Sequence, residues 1–150
     1  MNRAVSLVLF LVLVVGGGLA IGFVTAPGGW YAGLNKPAFN PPPWLFGPVW
    51  TVLYVLIAVA GWRIWHSERN SRAMQMWWIQ LALNFLWSPV FFGAHQIGLA
   101  LIIIAMLLAM TLGFIATAWR LDRAAALLFV PYAAWVGFAT LLNGSIWMMN

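Results

Sequence analysis

Five apolar runs, each long enough to cross a bilayer as a helix, constrain this chain more than any other feature. A hydrocarbon core of roughly 30 Å takes about 20 residues of apolar helix. The runs cover about residues 4–25, 44–62, 74–92, 97–119 and 124–148. Lipid-exposed backbone must satisfy its own hydrogen bonds, so the runs are expected to be helices; no alternating β-barrel pattern occurs. The connections fall at 26–43, 63–73, 93–96 and 120–123. The three short ones predict antiparallel neighbours. The expected architecture is an all-α membrane protein: one domain over 1–150, a five-transmembrane-helix bundle with a long lid-like loop between the first two helices.

Composition excludes the alternatives. Of the 150 residues 65% are hydrophobic and 6% charged, far from the roughly one quarter charged of soluble domains. The absence of cysteine removes disulfides, thiolate metal sites and a thiol nucleophile. The net charge of +5 comes from scattered residues, not from a clustered patch, so no nucleic-acid partner is expected. The first run could be mistaken for a secretory signal. Its length and its Gly18-x-x-x-Gly22 close-packing pattern favour a retained helix.

Orientation follows from the cations. With five spans, Arg3, Arg63, Arg69, Arg72, Arg120 and Arg123 share one face and Lys36 alone occupies the other. That bias predicts a cytoplasmic N-terminus and favours an inner membrane. Trp62-Arg63 and Trp119-Arg120 read as interfacial anchors, as do Trp44, Trp65, Trp77, Trp78 and Trp147.

No acid, lysine or histidine lies within a span, which argues against a proton-coupled pump. His66 and His95 read as loop histidines, and no metal site is expected. What the chain does carry is eleven tryptophans. Trp50 and Tyr54 sit at i and i+4; Gln80, Asn84 and Trp87 share one face of the third run; Trp135, Ala139 and Asn143 repeat every four residues in the fifth. Either the amides join helices through hydrogen bonds, or these faces line a cavity of aromatic walls with a few polar groups, suited to a flat apolar ligand. The loop over 26–43 favours the cavity, because Trp30, Tyr31 and Phe39 are too apolar for a solvated linker and Pro37 and Pro41 to Pro43 stiffen it. Lys36, inside this loop, is a candidate contact for anionic groups on the ligand.

Three motifs carry a resemblance. Trp30-Tyr31-x-x-Leu34-x-Lys36-Pro37-x-x-x-Pro41-Pro42 precedes Trp50-x-x-Leu53-Tyr54. The third run reads Gln80-Leu-Ala-Leu-Asn84-Phe-Leu-Trp87-Ser-Pro89-Val-Phe91-Phe92-Gly93, and the fifth Pro131-Tyr132-x-x-Trp135-x-x-Phe138-Ala139-Thr140-x-Leu142-Asn143. Together they resemble the TspO/MBR family over nearly the whole chain, in a bacterial-type form; the resemblance implies a bacterial membrane and leaves the outer membrane as an alternative to the inner one. The resemblance implies a five-helix bundle, often a homodimer, that binds tetrapyrroles such as protoporphyrin IX or haem and, in some members, cholesterol and benzodiazepine-type drugs. It implies ligand contacts at Tyr31, Trp50, Tyr54, Asn84, Trp87, Trp135 and Ala139, to which the helical spacing adds Asn143. Here Leu142-Asn143 is followed by Gly144, without the Tyr and basic residue of animal members, which argues against cholesterol handling.

Two functions remain open: a tetrapyrrole sensor, carrier or transporter that needs no resident cofactor, or, as the resemblance to bacterial members also implies, an enzyme-like photodegradation of protoporphyrin through Trp50 and Trp135. Small residues suggest dimer faces, either Ala105, Ala109, Gly113 and Thr117 or Gly18 and Gly22. The resemblance points instead to the third run.

Overall fold

The computed structural model describes residues 2–150, and every regular element among them is helical. We number the helices α1 (Arg3–Val24), α2 (Gly29–Ala32), α3 (Pro43–Glu68), α4 (Arg72–Ser88), α5 (Ile97–Ala118) and α6 (Arg123–Met149). Four of them, α1, α3, α5 and α6, are long and apolar enough to cross a membrane. The third apolar run folds as α4, which at 17 residues is shorter than those four and is continued by one π-helical turn, Pro89–Gly93. A second π turn, Val12–Gly16, interrupts α1 just before Gly17 and Gly18.

The helix of the second apolar run, α3, is longer than that run implied. Ile64 and Trp65 continue its buried and half-buried faces beyond Arg63, and nothing breaks the helix before Glu68. His66 therefore lies in the last helical turn, not in a loop. Its Nε2 shares a 2.6 Å hydrogen bond with Ser6 Oγ of α1. Beside it the Trp62 indole donates to the Arg3 carbonyl and to Ser6 Oγ, each at 3.0 Å. These bonds bring the N-terminal turn of α1 to the C-terminal end of α3. Arg63 joins the same end to α6, donating from Nε to Asp122 Oδ2 at 2.8 Å and from Nη2 to Oδ1 at 3.1 Å. Arg3 and Arg63 thus meet at one end of the molecule, away from Lys36 in the loop between α1 and α3.

In packing order the helices run α1, α3, α6, α5, α4 and back to α1, and α3 also touches α4. That last contact is close. A Cβ on Gly61 would run into the Trp77 ring, and Trp77 Nε1 donates to the Ile57 carbonyl at 2.9 Å. Trp77 is fully buried, so it is a core residue and not the interfacial anchor its position near a run's end suggested. The fourth-run small residues divide: Gly113 and Thr117 pack on Met76 of α4, while Ala105 and Ala109 stay exposed. Gly18 packs on the Tyr54 ring, whereas a Cβ on Gly22 would meet nothing within 4 Å.

Asp122 also caps α6, accepting from the Ala124 and Ala125 amides. Partial burial alone would raise its carboxyl pKa. The hydrogen bonds from Arg63, Ala125 and Ala124 and the Arg63 charge outweigh that and hold it below the usual value. A depressed folded-state pKa contributes stability above the unfolded value and loses it as pH falls through the folded one. We expect Asp122→Ala to cost about 0.5–2 kcal/mol at pH 7, the range for losing a helix cap. In detergent unfolding, the gap between parent and variant should close once the solution is acid enough to protonate Asp122. A gap that persists at every pH would show that the carboxylate charge is not what holds this corner.

Candidate functional site

Toward the end away from the arginines the helices part around a cavity of about 350 Å³. Eight of the nine residues singled out from the sequence line it: Tyr31, Trp50, Tyr54, Asn84, Trp87, Trp135, Ala139 and Asn143. Lys36 does not. Its Nζ donates to the carbonyls of Tyr31 at 2.9 Å, Leu34 at 3.2 Å and Ala32 at 3.3 Å. An ammonium has three donors, and all three are engaged in closing the C-terminal end of α2.

The aromatic wall is built by helical repeat. Phe46, Trp50 and Tyr54 recur every four residues on α3 and so share one face. Trp50 lies edge-to-face with Trp135 of α6, ring centres 6.5 Å apart at 87°, and Phe46 meets the same Trp135 at 5.9 Å. Opposite them the π turn after α4 adds Phe91 and Phe92 to the lining, packed on Trp87 at 5.3 and 5.8 Å. Tyr31 of the loop packs on Phe92 at 5.3 Å and donates to Asn40 at 3.3 Å. Burial raises the Tyr31 phenol pKa, the Asn40 bond only partly offsetting it, so the hydroxyl stays protonated. The loop is stitched to the end of α6: the Asn35 amide donates to Asn150 Oδ1 at 3.1 Å and Asn150 Nδ2 donates to the Asn35 carbonyl at 2.9 Å.

The buried amides serve both roles the sequence left open. Asn84 Nδ2 donates to Tyr132 OH at 2.8 Å, and that hydroxyl donates to Gln80 Oε1 at 2.7 Å. This chain ties α4 to α6 across the bundle, and Asn84 also faces the cavity. Trp87 Nε1 donates to Asn143 Oδ1 at 3.0 Å, and Asn143 Nδ2 to the Ile97 carbonyl at 3.1 Å. Two buried donors, Trp135 Nε1 and Gln80 Nε2, have no protein acceptor. Of these residues only Trp135 lines the cavity.

Sequence reasoning missed Phe46, whose i, i+4, i+8 register with Trp50 and Tyr54 was readable. It also missed the cavity-facing role of Gly18 and Gly22, taken there as packing residues. Leu107 and Ile104 of α5 line the cavity too, but nothing separates them from the lipid-facing residues of so uniformly apolar a run. His95 stays exposed, with its ring stacked on Trp30 at 4.1 Å, and its φ of 59° turns the chain between the end of α4 and α5.

Apolar spans around a tryptophan-walled hollow define a multi-pass membrane protein with an internal cavity. The model of the TspO/MBR family matches residues 9–148, and the chain belongs to that family. It is 39% identical to the tryptophan-rich sensory protein of Cereibacter sphaeroides, over all of this chain and 95% of that one. It is 40% identical to the tryptophan-rich protein TspO of Archaeoglobus fulgidus, over 97% of each. To the human translocator protein it is 36% identical, over 81% of this chain and 75% of that one.

The Tyr132 hydroxyl serves two buried partners at once. Tyr132→Phe leaves Asn84 Nδ2 and Gln80 Oε1 unpaired, which should cost about 1–3 kcal/mol. The melting temperature in detergent should fall clearly. A variant that melts with the parent would show that the network does not hold α4 to α6.

Proposed function

We propose that the protein binds tetrapyrroles, protoporphyrin IX or haem, and similar flat apolar ligands in this cavity, acting as a sensor, carrier or transporter. The observation that carries the reading is the convergence of Trp50, Trp87, Trp135 and Tyr54 on one hollow that holds no ionisable side chain except tyrosines. Its volume lies in the range of small-molecule sites. Stacked aromatic faces add about 0.5–1.5 kcal/mol each beyond burial. Kinship with proteins named for sensing and translocation supports the same reading. In this proposal α4 and its π turn cross the membrane as the third of five spans, and the loop over 25–42 acts as the lid. The basic end faces the cytoplasm of an inner membrane, and two copies form a homodimer. Benzodiazepine-type ligands would share the cavity.

The test is tryptophan quenching by protoporphyrin IX. Trp135→Ala, which loses the ring, should weaken binding several-fold or more, and Trp135→Phe, which keeps a smaller ring, should fall between. Equal affinity in all three proteins would remove Trp135 from the site. A second reading rests on the edge-to-face Trp50–Trp135 pair: an indole beside a photoexcited porphyrin can give up an electron, so the cavity could degrade its ligand in light. Product formed on illumination beyond one equivalent per protein, and lost in Trp135→Phe, would favour that enzyme-like function over simple binding.

Lys36 enters this proposal as the fastener of Tyr31 and α2. With its donors on backbone carbonyls, it is not free to read carboxylates in the closed loop. Lys36→Gln should loosen protoporphyrin and its dimethyl ester alike. A loss confined to the free acid would return Lys36 to the role of a propionate contact.

A further inference from the structure

At the basic end a second hollow, of about 180 Å³, lies between α1, α3 and α4. Leu9, Phe10 and Leu13 form one wall, Trp65 and Trp78 the other, and it shares no lining residue with the aromatic cavity. Leu9, Leu13 and Trp78 keep 52%, 41% and 43% of their surface exposed, so this is a groove in the outer wall. Its one polar side chain is already engaged. Ser6 Oγ donates to the Arg3 carbonyl at 3.0 Å, accepts from Trp62 and shares a hydrogen bond with His66. The groove itself therefore asks for an apolar occupant.

Its water-facing end asks for something else. The Arg69 guanidinium stands 4.2 Å over the ring of Trp65, the same indole that lines the groove. Arg3 stands 5.3 Å over Trp62, whose indole donates to Ser6. Among the described residues the only ion pair is Arg63–Asp122, so Arg3 and Arg69 hold their charges over aromatic faces without a carboxylate within salt-bridge distance. An aromatic face steadies a cation without neutralising it. A soluble anion would gain nothing from the apolar wall, and an uncharged chain nothing from the arginines.

We infer that this groove is a binding site for an anionic phospholipid, with one acyl chain along Leu9, Leu13 and Trp78 and the phosphate between Arg3 and Arg69. Such a lipid would bridge α1 and α3 at the corner where Trp62 and His66 already clasp Ser6. Anionic headgroups gain from each arginine close to the membrane surface.

Native mass spectrometry of the purified full chain, offered equal dioleoyl phosphatidylglycerol and dioleoyl phosphatidylcholine, tests this. The parent should retain one phosphatidylglycerol with a preference of about thirtyfold, the scale of two surface arginines. Arg3→Gln with Arg69→Gln should bring the two lipids to parity. Leu13→Trp, which fills the groove and leaves both arginines in place, should lower retention of phosphatidylglycerol. Circular dichroism checks that each variant keeps its helices, and Leu9→Phe replaces Leu13→Trp if that one unfolds. Equal retention of both lipids by the parent, or a preference that survives the arginine substitutions, would overturn the site. So would competition by inorganic phosphate as strong as by the lipid, or a groove-filling variant that splits a dimer and shows a second copy seated there.

Discussion

The close approach of α3 and α4 at Gly61 is the constraint on which the rest of the architecture depends. With no Cβ in the way, the Trp77 indole lies against the α3 backbone and donates to the Ile57 carbonyl. Phe10 of α1 then packs on the same indole, ring centres 5.2 Å apart. Three helices are locked around one fully buried tryptophan, with Ile57, Ile64, Ala73 and Met74 filling the space beside it. In lipid no hydrophobic driving force holds helices together, so close van der Waals contact and satisfied hydrogen bonds must do it. The basic end meets that requirement with packing. Toward the other end the same helices spread, and large rings border a hollow instead of meeting face to face.

A hollow of this kind needs a frame that does not collapse. The Gln80–Tyr132–Asn84 chain supplies it on one side, and the Trp87–Asn143–Ile97 chain on another. Both are built from neutral groups. A charge in either place would carry a heavy desolvation penalty inside a bilayer, whereas amides, a phenol and an indole can satisfy one another. The amides also fix which way their neighbours face: Asn143 holds the Trp87 indole by its nitrogen, which turns the ring face toward the cavity lining. The two π turns belong to the same frame. One re-registers α1 ahead of Gly18, where the Tyr54 ring needs room; the other swings Phe91 and Phe92 inward after α4.

Much of this was legible in the sequence, for identifiable reasons. Apolar length and the positions of Arg and Gly located the helices, and four-residue spacing put Trp50 with Tyr54, and Trp135 with Ala139 and Asn143, on faces that do converge. What escaped was set by contacts between helices. Trp77 sits one residue from Trp78 and has the same local surroundings; only the absence of a side chain at Gly61, sixteen positions away, makes it core. Lys36 carried a charge at the right end of the molecule for an anionic ligand, but the carbonyls of Tyr31, Ala32 and Leu34 reach it first. α3 outran its apolar stretch because Arg63 finds Asp122 at the N-terminal cap of a different helix, a pairing that hydropathy along the sequence does not contain.

The division of labour between the two ends also bears on selectivity. A site that recognises its ligand through a fixed charge rejects analogues lacking the partner group, because the buried charge is then left unpaired. The cavity here has none. Many of its polar side chains, Thr25, Tyr31, Asn84, Trp87, Ser88 and Asn143, are already bonded within the protein. Recognition then rests on area, ring stacking and few polar contacts, terms that many flat apolar molecules satisfy to similar degrees. Affinity in such a site is governed by how well the rings fit and how firmly the loop holds Tyr31 against Phe92, so sequence changes in the loop that never touch the ligand should alter its residence time more than its chemical preference.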